Sequence, residues 1–144
     1  MSSMFYEQRM SVPDTPADLR AEYDDQLASI ADRHGLETAL DRTGVDREEL
    51  EALLEGESPD LSLEEAAEIQ ALESDEPDAE TIETMACEHL LLGMTTAVLD
   101  VDAVESHLEI DLDAKEVQQK IERRAPMSFA EYVHLQHVIV GRSQ

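Results

Sequence analysis

DREELEALLEGESPDLSLEEAAEIQAL, residues 46–72, decides the fold class. Asp46 opens it as a helix cap, with Glu49 at the reciprocal position three residues on. Leu50, Leu53 and Leu54 follow at helical spacing, and Gly56 ends the run. Ser62 and Glu65 repeat the capping pattern. Leu63, Ala66, Ala67, Ile69 and Leu72 then share one face of a second helix. No part of the stretch alternates with period two, so it reads as two short amphipathic helices joined by a polar loop.

The same signs recur on both sides. Upstream, Thr15 is a cap, Pro16 suits the first helical position and Asp18 completes a capping box. Leu19, Tyr23, Leu27 and Ile30 then line one face as far as Gly35, and residues 36–43 form a short helix closed by Gly44. Residues 1–14 read as a mobile arm. Downstream, ESDEPD (residues 73–78) is acidic and holds Pro77, which makes residues 74–78 a linker. Asp78 caps a long helix through Ile82, Met85, Ala86, His89 and Leu90, whose apolar run continues to Leu99. This is the most hydrophobic element and reads as a central buried helix, with Gly93 permitting a bend or a close neighbour. Asp102 starts the next helix, with Val104 and Leu108. Asp113 and Glu116 box another, with Val117 and Ile121, which Pro126 breaks. Ser128 and Glu131 cap the last, which carries Phe129, Val133, Leu135 and Val138 and stops at Gly141. The expectation is an all-α chain of about eight helices in two units, residues 15–73 and 79–144.

The two units look alike. DREELEALLE (46–55) aligns with DAKEVQQKIE (113–122), and LSLEEAAEIQ (61–70) with MSFAEYVHLQ (127–136). The identities are Asp46/Asp113, Glu49/Glu116, Glu55/Glu122, Ser62/Ser128, Glu65/Glu131 and Gln70/Gln136. Four of these six belong to capping boxes, on which unrelated helices also converge. A duplicated helical unit that stacks on its sibling is the reading carried forward.

The charge narrows the function classes. Thirty-five acidic residues against 10 Lys and Arg give a net charge of −25 in 144 residues. Disorder is excluded for most of the chain by 42% hydrophobic residues at helical spacing. The other source of such acidity is a salt-rich cytoplasm, where a Debye length of about 3 Å at 1 M screens the self-repulsion. The N-terminal MSSMFYEQRMSVP has no apolar core of a secretory signal, and no stretch approaches a membrane span, so a cytoplasmic protein is expected.

LETALDRTGVDREELEALLEG (36–56) followed by LSLEEAAEIQAL resembles the lambda-repressor/Cro type of helix-turn-helix domain. Ala39 stands where its two helices cross, Gly44 at the turn, Val45 at the buried position after it and Asp46 at the cap of the second helix. The second unit has no glycine aligned with Gly44. The chain as a whole also resembles a small acidic haloarchaeal family of unknown function, which implies a salt-loving cytoplasmic setting and no particular activity.

A recognition helix must bring cations to phosphates. Residues 46–57 carry six acids and Arg47, a local charge of −5, which a duplex repels. Residues 113–124 carry Lys115, Lys120, Arg123 and Arg124 against three acids, a local charge of +1, with Gln118 and Gln119 between them. These six are the candidate nucleic-acid or partner-binding residues, and Lys115, Gln119 and Arg123, four apart, share a face opposite Val117 and Ile121. Contact with an acidic protein or a second copy is favoured over DNA. The plain alternative is a Glu116–Lys120 helix pair with a basic helix end.

Nothing points to catalysis. There is no G-x-S-x-G or phosphate-cradling motif. Cys87 and His89 have no second pair to complete a metal site, Glu131-x-x-His134 has no second copy, and no cofactor is implied. The function expected is a non-catalytic binding module, regulatory or adaptor in kind. The alternatives are a DNA-binding regulator using helix 113–124 and a structural homo-oligomer whose central helix completes its burial against a partner chain through the run Leu90–Leu99.

Overall fold

The computed structural model describes residues 4–142. Its eight helices are α1 Pro16–His34, α2 Leu36–Arg42, α3 Arg47–Leu54, α4 Leu63–Gln70, α5 Ala79–Ala97, α6 Val101–His107, α7 Ala114–Ile121 and α8 Phe129–Arg142. No strand forms among the described residues, and the fold is all-α.

Most helix starts are set by the side chains that the sequence marks. At α4, Ser62 Oγ accepts from the Glu65 N–H while Glu65 accepts from the Ser62 N–H, both at 2.9 Å. Asp113–Glu116 and Ser128–Glu131 make the same reciprocal pair at α7 and α8. Asp46 departs from expectation: its side chain makes no cap bond, and Glu49 Oε2 is buried without a partner. The cap of α6 is Asp100, two residues before the expected Asp102.

The loops that join α3 to α4 and α7 to α8 meet. The Leu63 N–H donates to the Met127 carbonyl (2.9 Å) and the Phe129 N–H to that of Leu61 (2.8 Å). This two-bond antiparallel bridge is centred on Ser62 and Ser128, two residues that the sequence alignment pairs. The helices that precede the two loops, α3 and α7, also end alike. Gly56 (φ 88°) and Arg123 (φ 64°) take left-handed backbone, and the following N–H groups of Glu57 and Arg124 reach back to Ala52 and Gln119. Glycine adopts that conformation freely, whereas arginine does so against steric resistance.

Helix α5 is buried along one side only, through Ile82, Ala86, Cys87, Leu90 and Met94. It packs closely on α8, since a Cβ at Gly93 would come within 2.7 Å of Ile139 Cγ2. The expected central helix is thus half surface.

Residues 4–14, read from sequence as part of a mobile arm, lie against the core instead; residues 1–3 of that arm fall outside the described residues. Phe5 is buried among Tyr23, Phe129 and Tyr132, with ring centroids 5.2–6.3 Å away. Its carbonyl accepts from Tyr132 Oη and from Gln136 Nε2. The ring of His89 donates to the Tyr6 carbonyl (2.7 Å) and that of His137 to the Pro13 carbonyl (2.8 Å). A chain end stays ordered when it is tied down in this way. The acidic stretch after α4 is likewise engaged: Glu73 pairs with Arg33, and Glu76 accepts from Tyr6 Oη. One continuous core runs from Phe5 to Ile139 across both expected units.

Candidate functional site

The cations of α7 and its C-terminal turn are mostly held within the molecule. Lys120 Nζ lies 2.7 Å from both carboxylate oxygens of Glu131 on α8. Arg123 sits beyond the last residue of α7 in left-handed backbone, so it leaves the expected Lys115–Gln119–Arg123 row. Its guanidinium turns to α5, where it donates to Thr84 Oγ1 and lies 3.2 Å from Glu83. Arg124 lies 3.4 Å from Glu122, and Gln118 donates to the same carboxylate. Lys115 is exposed and Gln119 half-buried. Lys120, Arg123 and Arg124 line one depression of about 260 Å³, together with Glu64, Glu83 and Cys87. Burial raises the Glu83 carboxyl against the pull of Arg123, and pushes the Cys87 thiol up to about 11. That thiol is protonated at neutral pH and is a poor nucleophile.

A second side of the same C-terminal half of α7 borders a different surface. Four large apolar side chains are exposed among the described residues: Met10 (82%), Leu91 (45%), Leu92 (46%) and Val98 (89%). Leu91 and Leu92 lie on the outer side of α5, and Val98 is its C-terminal cap. Leu91 and Thr95 form a row one turn long on the helix surface, Leu92 widens it, and Val98 follows just past the helix end. No charged residue occurs between Glu88 and Asp100. Beside this row, α5, α6 and α7 enclose a groove of about 310 Å³. Leu91, Met94, Val101 and Ile121 supply its apolar lining, and Asp100, Gln118 and Glu122 supply its polar edge.

Val98 ends α5 in left-handed backbone (φ 56°, ψ 50°). The Leu99 N–H reaches back to Met94 O at 2.8 Å, the bond pattern that glycine usually serves at a helix end. A β-branched residue there is strained, and nothing buried holds it, since its side chain is almost fully exposed.

Of the six residues expected from sequence, Gln118 lines this groove, Lys120 and Arg123 are tied to acids elsewhere, and Lys115, Gln119 and Arg124 lie outside its lining. Leu91, Leu92 and Val98 were not among those six, and the run Leu90–Leu99 that holds them entered only through the homo-oligomer alternative. Their signal was in the sequence: Ile82, Ala86, Leu90 and Met94 already fill the inward stripe and leave these three off it. Among the described residues, no group of three or more His, Cys, Asp or Glu side chains is placed to hold a metal ion, and no helix is long and apolar enough to cross a membrane.

Residues 19–142 match a family of unknown function (DUF5791). The chain belongs to this family. The match begins within α1 and spans every later helix, so the groove and both meeting loops lie inside the family's common region, whereas Phe5 and Tyr6 lie before it. No curated protein and no solved structure matches the chain.

Proposed function

We propose that the chain is a non-catalytic binding module, regulatory or adaptor in kind, that docks a protein partner on the outer face of α5 and the groove beside it. The observation that carries this reading is the gathering of Leu91, Leu92 and Val98 at one helix end of a −25 protein. Contiguous exposed apolar surface on a small soluble domain marks an interaction site. A strained residue kept at its edge agrees with this, because such strain concentrates at functional positions.

The setting we propose is a salt-rich cytoplasm of the haloarchaeal kind, supported by the charge of −25. There an apolar contact is the durable one, since ionic contacts weaken as salt rises. A melting temperature that climbs between dilute and molar KCl is expected, and one that stays level removes the setting. For the docking face, a photo-crosslinker placed at position 92 in cell extract at molar KCl should give discrete protein adducts. Leu91→Asp in the same chain should abolish them. Adducts that survive Leu91→Asp, or none at all, overturn the reading.

DNA contact through helix 113–124, in a helix-turn-helix arrangement, is the second reading. The exposed Lys115 and Arg124 beside Gln118 favour it, and the engagement of Lys120 and Arg123 by Glu131 and Glu83 weighs against it. Duplex binding at molar KCl that is lost in Lys115→Glu, Arg124→Glu would establish it.

A further inference from the structure

The groove's edge says what kind of partner fits. Asp100 and Glu122 line it, and no cation does. Neither carboxylate sits in a buried ion pair. Asp100 uses one oxygen to cap α6 (2.8 Å from the Ala103 N–H), and Glu122 lies an exposed 3.4 Å from Arg124 and accepts from Gln118 Nε2 at 3.3 Å. The C-terminal end of α7 also closes at Ile121 and Glu122, which adds the negative pole of that helix. Glu88 flanks the row one turn before Leu91 and Leu92. The surface is therefore an apolar stripe with an anionic border.

Its shape narrows the occupant further. Leu91, Leu92 and Val98, exposed as they are, offer on the order of 300 Å². A stable dimer buries roughly 800 Å² per partner. A single helix needs less, because three or four side chains at i, i+3 or i+4, and i+7 suffice to anchor it in a groove.

Resting on the binding reading above, we propose that this groove receives an amphipathic helix of another protein, with an apolar stripe flanked by Lys or Arg. The apolar side chains seat against Leu91, Met94, Val101 and Ile121. The flanking cations meet Asp100 and Glu122 at contact distance, where salt screens them least.

The test uses the full chain and three 16-residue peptides followed by fluorescence anisotropy: an amphipathic Leu/Lys helix, the same residues scrambled, and a Leu/Glu helix with the same apolar stripe. At 2 M KCl the Leu/Lys helix should bind at least about tenfold more tightly than either other peptide. Val98→Gly and Leu92→Ser should each weaken it several-fold. The first is expected to raise fold stability, so a loss of binding there is not a loss of folding. Asp100→Asn with Glu122→Gln should narrow the gap between the Lys and Glu helices. Equal binding of the scrambled peptide means general attraction to an acidic surface and overturns the proposal. So does a concentration-dependent dimer in sedimentation that Leu91→Asp abolishes, because the occupant is then a second copy. If the position-92 crosslinks form but the Leu/Lys helix does not bind, the partner class fails and the docking reading stands. If both are absent, both fail.

Discussion

Replacing Val98 with glycine should make the protein more stable, although it removes a hydrophobic side chain. Val98 closes α5 at φ 56° and is 89% exposed, so the valine contributes little burial to lose. Left-handed backbone costs an L-residue about 1–2 kcal/mol, and branching at Cβ puts valine at the upper end. Glycine avoids that cost but gives back about 0.5–1 kcal/mol through its freer unfolded chain. The net gain is about 1 kcal/mol, which corresponds to a rise of roughly 3 °C in Tm for a domain of this length. Urea unfolding followed by circular dichroism measures it: the midpoint should rise with no change in slope, since the buried surface is the same. Val98→Ala removes the branching alone and should fall between the two. If both variants prove less stable than the parent, Val98 is not strained, and its place in the docking argument is lost.

Gly93→Ala should destabilise despite alanine's better helix propensity of about 1 kcal/mol, because the new methyl meets Ile139 Cγ2 and overpacking costs about 1–3 kcal/mol. Ile139→Ala should cost less in that background than in the parent, because it also relieves the clash, and a Gly93→Ala variant as stable as the parent rules out the close α5–α8 approach. Phe5→Ala should cost about 3–5 kcal/mol in urea unfolding and expose residues 4–14 to limited proteolysis, whereas a mobile arm would give no change in either. All three tyrosines titrate high: burial pushes Tyr23 up to about 12 and raises Tyr6 and Tyr132 as well. Above about pH 10 the unfolded chain loses these protons first, so it binds fewer than the folded chain and stability must fall as pH rises. With no Trp in the chain, absorbance near 295 nm reads tyrosinate directly, and it should appear together with the loss of helix. Tyrosinate forming near pH 10 in the folded protein would contradict this.

The fold was legible because its signals are local. Helix starts follow from capping side chains and helix faces from the 3.6-residue period, and both are written within a few positions. The bridge between Ser62 and Ser128 was not legible: the alignment paired the two residues as equivalents and carried no information that their loops would meet. What failed was nonlocal. Nothing near Phe5 tells that Tyr132 and Gln136 await it more than 120 residues away, so a polar N-terminal stretch read as loose. Charge misled for a related reason. Lys120 and Arg123 stand out in an acidic sequence, but an acidic fold is well supplied with carboxylates to occupy them, here Glu131 and Glu83. Spacing also misplaced Arg123, because α7 ends at Ile121 and the chain turns left-handed just where the row was extended. The exposed leucines were hidden by hydrophobicity itself, since an apolar run reads as interior until its inward stripe has been counted.

The anchoring of Phe5 has a consequence for how the molecule is made. On the ribosome this aromatic ring emerges more than 120 residues ahead of the tyrosine and glutamine that enclose it. The nascent polypeptide must therefore carry an unsheltered phenyl group until α8 has been made. Closure of this part of the core can occur only after α8 has cleared the exit tunnel, so it waits on that helix rather than proceeding helix by helix.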